Sequence, residues 1–161
     1  MHEEIRTTKH TKNLGTTKYT KRYEGEREVM SLRIVSNLSL QHEQLIQKVI
    51  GASIEVHRHL GPGFLKNIYE RALCHELQLQ RIPFEKQVEI MAPYKGISIP
   101  GHRLDLVIDK FLVLELKTVE EILPIHEAQL LSYLKSTGLK VGLIINFKVK
   151  KLKSGIRRIV L

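Results

Sequence analysis

The sequence predicts one mixed α/β domain preceded by a polar segment at residues 1–40. Three patterns support this prediction. Between residues 40 and 80 the apolar residues recur at three- and four-residue helical steps, and between 84 and 116 they change to the two-residue period of strands. A further helical segment is then followed by a continuously apolar strand. A chain of 161 residues with 42% hydrophobic and 27% charged residues is of ordinary size for one domain.

The first forty residues differ from the rest of the chain. Thr-Thr-Lys-His-Thr-Lys at 7–12 is closely repeated as Thr-Thr-Lys-Tyr-Thr-Lys at 16–21, with almost no aliphatic residue nearby. Such a segment buries too little apolar surface to offset the entropy lost on ordering. We therefore expect a disordered basic and polar tail at 1–40 and the domain at 41–161. Whether Met1 or Met30 is the natural start stays open.

Two helices are predicted at the start of the domain. The first ends at Gly61-Pro62-Gly63. Its apolar stripe consists of Leu45, Ile46, Val49, Ile50, Ser53, Val56, His57 and Leu60. The apolar face of the second helix consists of Leu65, Ile68, Tyr69, Ala72, Leu73 and Leu79. Glu76 falls in the middle of this second face, which indicates either a rim position with a partner or a carboxylate aimed at a site.

Strands are predicted next. Residues 84–94 form the first strand, followed by a turn at Lys95-Gly96 and a short return or loop at 97–100. Residues 104–108 and 111–116 then predict a hairpin.

A crossover helix and two strands complete the domain. The helix is predicted from Ile125 to Ser136, with Pro124 in its first turn and Gly138 beyond its end. Residues 141–147 are continuously apolar, which is typical of a buried strand, and 156–161 predict an edge strand. Because a crossover helix connects them, the strand at 141–147 should run parallel to the strand before the helix.

The register of the predicted hairpin follows from its leucine rows. The two rows are Leu104, Leu106 and Ile108, and Leu112, Leu114 and Leu116. Both rows enter one core only if opposite residue numbers sum to 220, whereas a two-residue turn gives 219 and reverses one row. We therefore predict a three-residue connection, Asp109-Lys110-Phe111, or a tighter turn with a compensating bulge.

This register places Asp105 opposite Glu115, with Lys117 two residues further along the same face. Facing carboxylates repel each other unless a cation lies between them. Mg²⁺ prefers one or two carboxylates together with water and phosphate oxygens, and Lys117 would stabilise charge developing on a phosphate. We favour this electrostatic role of Lys117 over that of a general base. The alternative is a ladder of alternating charges on the surface of an amphipathic hairpin.

The predicted crossover helix carries a polar stripe. His126, Gln129 and Tyr133 lie at three- and four-residue steps, so they share one side of the helix. Beside the acidic hairpin this stripe would position a water molecule or a phosphate. Otherwise it is a solvent-facing side of the helix.

The formal net charge of +9 is concentrated near the C-terminus. Residues 140–161 contain seven basic residues and no acidic one. This patch indicates a polyanionic partner, nucleic acid rather than membrane, or else a solvated tail. The residues expected to contact nucleic acid are Lys148, Lys150, Lys151, Lys153, Arg157 and Arg158.

Several protein classes are excluded. No apolar run has the length of a membrane span, and Cys74, the single cysteine, excludes a disulfide framework. His57, His59, Cys74 and His75 lack a recognised zinc spacing. The first thirty residues lack the apolar segment of a secretory signal, so we expect a reducing, cytoplasmic compartment.

Seven ordered segments resemble a known family. They are Ile50–His57, Leu60–Leu65, Tyr69–Leu73, Arg103–Asp105, Leu114–Lys117, His126–Leu131 and Gly142–Phe147. These segments resemble the GxxExxY proteins, a branch of the PD-(D/E)XK nuclease superfamily, over residues 40–161. The resemblance implies a restriction-endonuclease-like core, a mixed sheet flanked by helices. It also implies Mg²⁺-dependent (or Mn²⁺-dependent) hydrolysis of phosphodiester bonds.

The resemblance also implies roles for individual residues. Asp105 and Glu115 would be metal ligands, Lys117 would be the lysine of the ExK motif, and Gln129 is similar to a glutamine on the following helix of many members. The name-giving motif departs from the pattern at Lys66, which stands where the motif has glutamate. This departure weakens the implied metal site. Residues considered as support for the site are Glu55, Glu70, Glu76, Tyr69 and His126.

Two function hypotheses follow. The first is a Mg²⁺-dependent nuclease acting on DNA or RNA, with endonuclease and exonuclease activity both open. The alternative is a nucleic-acid-binding or protein-interaction module that retains the nuclease fold with weakened catalysis. A homodimer formed through leucine-rich faces also stays open.

Overall fold

The computed structural model describes residues 38–161. The predictions for the polar tail and for Met30 therefore lie outside the described residues, except at positions 38–40. The first helix begins at Leu40, and its N-cap residue, Ser39, accepts a hydrogen bond on its hydroxyl oxygen from the His42 N–H at 3.3 Å.

Three α-helices and five strands form the domain. In chain order they are α1 (Leu40–Leu60), α2 (Lys66–Leu79), β1 (Phe84–Tyr94), β2 (Ile97–Ile108), β3 (Leu112–Lys117), α3 (Pro124–Thr137), β4 (Val141–Asn146), a 3₁₀ turn (Leu152–Gly155) and β5 (Ile156–Val160). None of these helices between residues 38 and 161 combines the length and apolarity of a bilayer span.

The five strands form one mixed sheet in the order β1-β2-β3-β4-β5. Neighbouring strands are antiparallel except β3 and β4, which are parallel and are connected by α3. The predicted mixed α/β fold and the predicted parallel pair are therefore confirmed. Helix α3 begins with Pro124 and ends at Gly138, whose φ of 73° closes the helix in the left-handed conformation.

The two N-terminal helices differ in how well their faces were predicted. Helix α1 buries most of the predicted stripe, including Ile46, Val49 and Val56. Helix α2 buries Tyr69 and Leu73 as predicted, together with Leu77, but Ile68 is 36% exposed and the leucines Leu65 and Leu79 are 75% and 65% exposed. The prediction was wrong for these two leucines because Leu65 precedes the helix and Leu79 lies on its far side, away from the 69–73–77 row.

Strand β2 is longer than predicted. The segment 97–100, expected as a short return or loop, continues into the same strand as residues 101–108 and pairs with β1 out to Tyr94. Residues 91–100 are all exposed, so this end of the hairpin has no core-facing row. The sequence pattern was weak there for that reason.

The predicted hairpin register is confirmed for the three pairs next to the turn. Leu106 pairs with Leu114, Val107 with Val113, and Ile108 with Leu112. Asp109, Lys110 and Phe111 connect the strands, with φ of 49° and 53° at the first two residues. The Phe111 N–H donates to the Ile108 carbonyl at 2.9 Å, so a tight turn is followed by one extra residue.

One residue departs from its predicted row. Leu106 and Ile108 pack in the larger core with α1 and α2, whereas Leu104 packs with Leu130 and Leu134 of α3. Gln87 on the neighbouring strand has a φ of 54° between the pairs Lys86–Leu106 and Val88–Leu104. This backbone irregularity interrupts the alternation of faces beside Asp105.

Candidate active site

Asp105 lies in the interior of the sheet, where β2 and β3 separate. The residue is 5% exposed, and its Oδ2 accepts a hydrogen bond from the Leu116 N–H at 2.8 Å. The backbone pairing of β2 with β3 ends at Leu106 and Leu114. Beyond this pair, the Asp105 carboxylate connects the two strands through the Leu116 N–H. Its second oxygen, Oδ1, lies 2.7 Å from the Lys66 ammonium. Both oxygens of Asp105 therefore have a partner.

Glu115 lies on β3 and is 3% exposed. Its Oε1 accepts a hydrogen bond from the Lys117 ammonium at 2.9 Å. Its Oε2 is buried and has no hydrogen-bond partner in the part of the chain that the structure describes. Burying a carboxylate oxygen without a partner costs free energy, so this atom marks a place where a cation or donor would be stabilised.

Lys117 is held at the end of β3 by the neighbouring strand. Its carbonyl accepts the Phe147 N–H at 2.8 Å. Asn146, 1% exposed, donates to the Val119 carbonyl at 2.7 Å and accepts the Val119 N–H at 3.1 Å. Asn146 therefore fixes the loop that leaves Lys117. The role of Asn146 was not inferred from the sequence, since this residue lies within the segment 141–147 that was treated as continuously apolar.

Tyr133 of α3 lies within electrostatic reach of both carboxylates. Burial raises the pKa of the Tyr133 phenol above its ordinary value of 10.0, and the negative charges of Glu115 and Asp105 raise it further. The ring stacks on His102 of β2, with centroids 4.4 Å apart. The Tyr133 hydroxyl therefore remains a neutral hydrogen-bond donor beside the two carboxylates.

Lys66 is the first residue of α2, and its side chain extends to the Asp105 carboxylate. The preceding loop is held by Tyr69, whose hydroxyl donates to the Gly61 carbonyl at 2.6 Å and accepts the Phe64 N–H at 3.1 Å. The Tyr69 ring also stacks on Phe147 at 4.5 Å. Tyr69 thus supports the site through the loop. The sequence indicated Lys66 only as a departure from a motif, not as a member of the cluster.

The arrangement of strands, crossover helix and carboxylates can be compared with known proteins. The family model of the PD-(D/E)XK nuclease superfamily matches residues 43–159. The chain belongs to this superfamily. No curated protein and no solved structure matches the chain. The PD-(D/E)XK fold is restriction-endonuclease-like, as predicted, and its nucleases generally use divalent metals. The finer assignment to the GxxExxY proteins stays a prediction.

The other predicted carboxylates of this PD-(D/E)XK domain have partners elsewhere. Glu55 pairs with Arg58 at 2.9 Å, Glu70 accepts from Gln87 at 3.1 Å, and Glu76 accepts from its helix neighbour Gln80 at 2.8 Å. Within residues 38–161 no group of three or more His, Cys, Asp or Glu side chains is arranged to hold a metal ion. No described contact brings these three carboxylates to Asp105.

The three residues of the predicted polar stripe of α3 have different surroundings in the structure. Tyr133 is close enough to Asp105 and Glu115 for their negative charges to raise its pKa. His126 Nδ1 accepts the Leu123 N–H at 3.1 Å and so caps its own helix. Gln129 is exposed, and no described hydrogen bond joins it to Asp105 or Glu115. A catalytic role of Gln129 therefore still rests on the resemblance.

The basic residues near the C-terminus fall into two groups. Arg158 binds Glu43 through both terminal nitrogens at 2.6 and 2.9 Å, and its side chain is 3% exposed. Lys148 pairs with Glu120, and Arg157 Nε lies 3.9 Å from Glu127. Lys150, Lys151 and Lys153 are exposed. These three lysines are therefore more accessible to a nucleic-acid backbone than the buried Arg158 is.

The carboxylates of Asp105 and Glu115 are ligands of the kind that a hard divalent cation prefers. Two buried carboxylates meet the preference of Mg²⁺ for one or two such ligands completed by water and substrate oxygens. The unpartnered Oε2 of Glu115 is the observation that supports this fit. Two ammonium groups, Lys66 and Lys117, accompany these carboxylates, so the four groups together are formally neutral.

Proposed function

We propose that the protein is a metal-dependent nuclease that hydrolyses phosphodiester bonds in DNA or RNA, with Asp105, Glu115 and Lys117 at its centre. The observation that carries this proposal is the pair of buried carboxylates, one with an unpartnered oxygen. The pair occurs in a chain of the PD-(D/E)XK nuclease superfamily, next to the lysine of its ExK motif.

Asp105 and Glu115 would hold the cation, Mg²⁺ or Mn²⁺. When bound, such a cation supplies Lewis-acid polarisation of a phosphate and lowers the pKa of a coordinated water. The Leu116 N–H holds Asp105 in place, so this carboxylate is preorganised rather than recruited.

Lys117 and Tyr133 would act on the substrate side. Lys117 is fixed at Glu115 with a side chain that is 18% exposed, so its charge lies in a partly dry site where it is weakly screened. Its ammonium would stabilise charge developing on a phosphate oxygen. Tyr133 would offer a neutral hydroxyl donor. The exposed Lys150 and Lys151 would bind backbone phosphates by charge alone.

A cleavage assay tests the proposal. The full chain is incubated with end-labelled single- and double-stranded DNA and RNA, with Mg²⁺, Mn²⁺ or EDTA. We expect cleavage that requires metal and falls by about 100-fold or more in Glu115→Gln and in Lys117→Met. Lys48→Met, which removes an exposed lysine on α1, is the matched control and should retain activity. Equal cleavage by all four proteins would contradict the proposal.

A nucleic-acid-binding module without turnover is the second candidate. It is favoured by the ion pair of Lys66 with Asp105, which uses a predicted metal ligand for an internal contact. This candidate predicts salt-sensitive binding, no product with any of the four substrates, and no effect of Glu115→Gln on binding.

A further inference from the structure

Lys66 lies at a position in its helix where a positively charged side chain is unfavourable. It is the first residue of α2, whose N-cap Leu65 provides no side-chain hydrogen bond and whose first turn contains no acidic residue. The positive end of a helix macrodipole disfavours a lysine and favours a carboxylate. The position of Lys66 therefore needs a stabilising interaction from outside the helix.

Asp105 provides that interaction. The Lys66 ammonium lies 2.7 Å from Asp105 Oδ1, and the carboxylate is almost fully buried while the lysine side chain is 38% exposed. Glu70 lies one turn along the same helix and would be the usual local partner, but its Oε2 instead accepts a hydrogen bond from Gln87. Lys66 is thus directed into the carboxylate cluster and reaches it from the solvent side.

We propose that Lys66 is an internal counter-ion that competes with the divalent cation for Asp105, so that metal binds only when the Lys66 ammonium leaves. The inference rests on the proposed metal-dependent function and concerns the regulation of the same site. Lys66 occupies Oδ1, and the Leu116 N–H occupies Oδ2, so Asp105 has no oxygen without a partner in this state. A cation would bind Glu115 Oε2 without displacing a hydrogen-bond partner, because this oxygen has none within residues 38–161.

The charge of the cluster gives a graded prediction. With Lys66 the two carboxylates and two ammonium groups sum to zero; Lys66→Met leaves one negative charge and Lys66→Glu leaves two. A positive charge at position 66 repels a divalent cation strongly in a partly buried site. Each step of this series makes the site one unit more negative, so the affinity for the cation should rise. Lys66→Arg conserves the charge and should bind the cation as weakly as the natural protein.

Calorimetric titration of the full chain with Mn²⁺ tests the series. We expect Lys66→Met to bind Mn²⁺ about tenfold more tightly than the natural protein, and Lys66→Glu more tightly still. The double variant Lys66→Met with Asp105→Asn should lose this gain, because the gain acts through Asp105. Thermal melting without metal checks that each variant is folded.

Three outcomes separate the inference from the proposed function. Tightening through the series, absent in Lys66→Arg and in the double variant, supports the inference whether or not the protein cleaves nucleic acid. Equal affinities in all Lys66 variants, with binding lost in Glu115→Gln, overturn the inference and leave the proposed function standing. No Mn²⁺ binding by any variant overturns both.

Discussion

The buried carboxylates of Asp105 and Glu115 differ in how their oxygens are paired. Asp105 is neutralised by Lys66 and bound by a backbone N–H, whereas Glu115 has one oxygen paired with Lys117 and one without a partner. A buried polar group without a partner is costly for stability. The asymmetry indicates that stability alone does not account for Glu115, which is consistent with a ligand-binding role.

Cys74 gives a pH-dependent prediction at the scale of one residue. Burial raises the pKa of the Cys74 thiol above its ordinary value of 9.0, and the Glu70 carboxylate raises it further, partly offset by Lys86. Because the thiolate is the reactive form, alkylation by iodoacetamide should have its pH midpoint above 9.0. Glu70→Gln removes a raising charge, so its midpoint should lie lower.

The chain is suited to this measurement because Cys74 is its single cysteine. Glu76→Gln is the matched control, since Glu76 lies on the same helix but is not among the charges that act on the thiol. The explanation is contradicted if the natural protein has a midpoint at or below 9.0, or if both variants shift it equally.

Asp105 and Lys66 show what could be predicted for individual residues. The requirement that opposite leucine rows enter one core predicted the pairs from Leu106–Leu114 to Ile108–Leu112, although Leu104 departs from its row. No comparable local rule connects Lys66 with Asp105, which lies far along the chain on another element. Their contact depends on how the loop at 61–65 directs the start of α2, which is a tertiary effect.

At the scale of elements, Tyr69 connects a loop to a helix and to the core. Its hydroxyl makes two hydrogen bonds to the loop at 61–65 while its ring stacks on Phe147. The loop leads directly into Lys66, so the same contacts determine where α2 begins. A small change at Tyr69 should therefore affect the loop and the site together.

Tyr69→Phe should destabilise the domain by about 1–3 kcal/mol, because the Gly61 carbonyl and the Phe64 N–H lose their partner. Urea unfolding measures this loss, and hydrogen exchange should accelerate at Phe64. The matched control is Tyr94→Phe, since Tyr94 is 56% exposed, and its effect should stay within about 0.5 kcal/mol. Equal effects of the two substitutions would show that the Tyr69 hydroxyl contributes nothing.

Gly142 permits the close approach of α3 to the sheet. A methyl group added there would lie 2.8 Å from the Leu130 side chain, whereas one added at Gly51, in the interior of α1, would meet nothing within 4 Å. Gly142→Ala should therefore destabilise the domain by about 1–3 kcal/mol through overpacking. Gly51→Ala should stabilise it by about 0.5–1 kcal/mol, because alanine loses less entropy in a helix. Thermal or urea unfolding decides both signs.

The elements that were predicted well are those with a buried face. α1, α3 and the parallel pair β3–β4 followed from periodicity and from proline and glycine at helix ends. Strand β1 was predicted with its observed bounds, whereas the outer part of β2, residues 97–100, is exposed and has no buried row that would mark it as a strand. Leu65, which precedes α2, and Leu79, at its end, lie outside the buried row, so hydrophobicity alone extended the predicted face too far.

For the whole molecule, the net charge of +9 would favour encounter with the proposed nucleic-acid partner. The exposed Lys150 and Lys151 belong to the basic segment at residues 140–161, whereas Arg158 is buried against Glu43. Sequence composition revealed the basic segment but not which of its members were already paired within the domain. That distinction depends on tertiary contacts across the chain.

Salt dependence of DNA binding tests the role of the exposed lysines. The double variant Lys150→Gln and Lys151→Gln should reduce the slope of log affinity against log salt by about 0.9 for each lost phosphate contact. A variant with Lys48→Gln and Lys135→Gln removes the same charge from exposed positions on α1 and α3 and should reduce the slope less. Equal slopes for the two double variants would mean that net charge, not the C-terminal segment, determines binding.

The proposed metal site requires Asp105 and Glu115 to hold a divalent cation together. The most direct measurement is paramagnetic broadening of backbone amide signals when Mn²⁺ is added to the full ¹⁵N-labelled chain. We expect the broadening to be strongest at Asp105, Glu115 and Leu116 and to be lost in Glu115→Gln. Broadening confined to exposed carboxylates such as Glu89 and Glu121, and unchanged in Glu115→Gln, would contradict it.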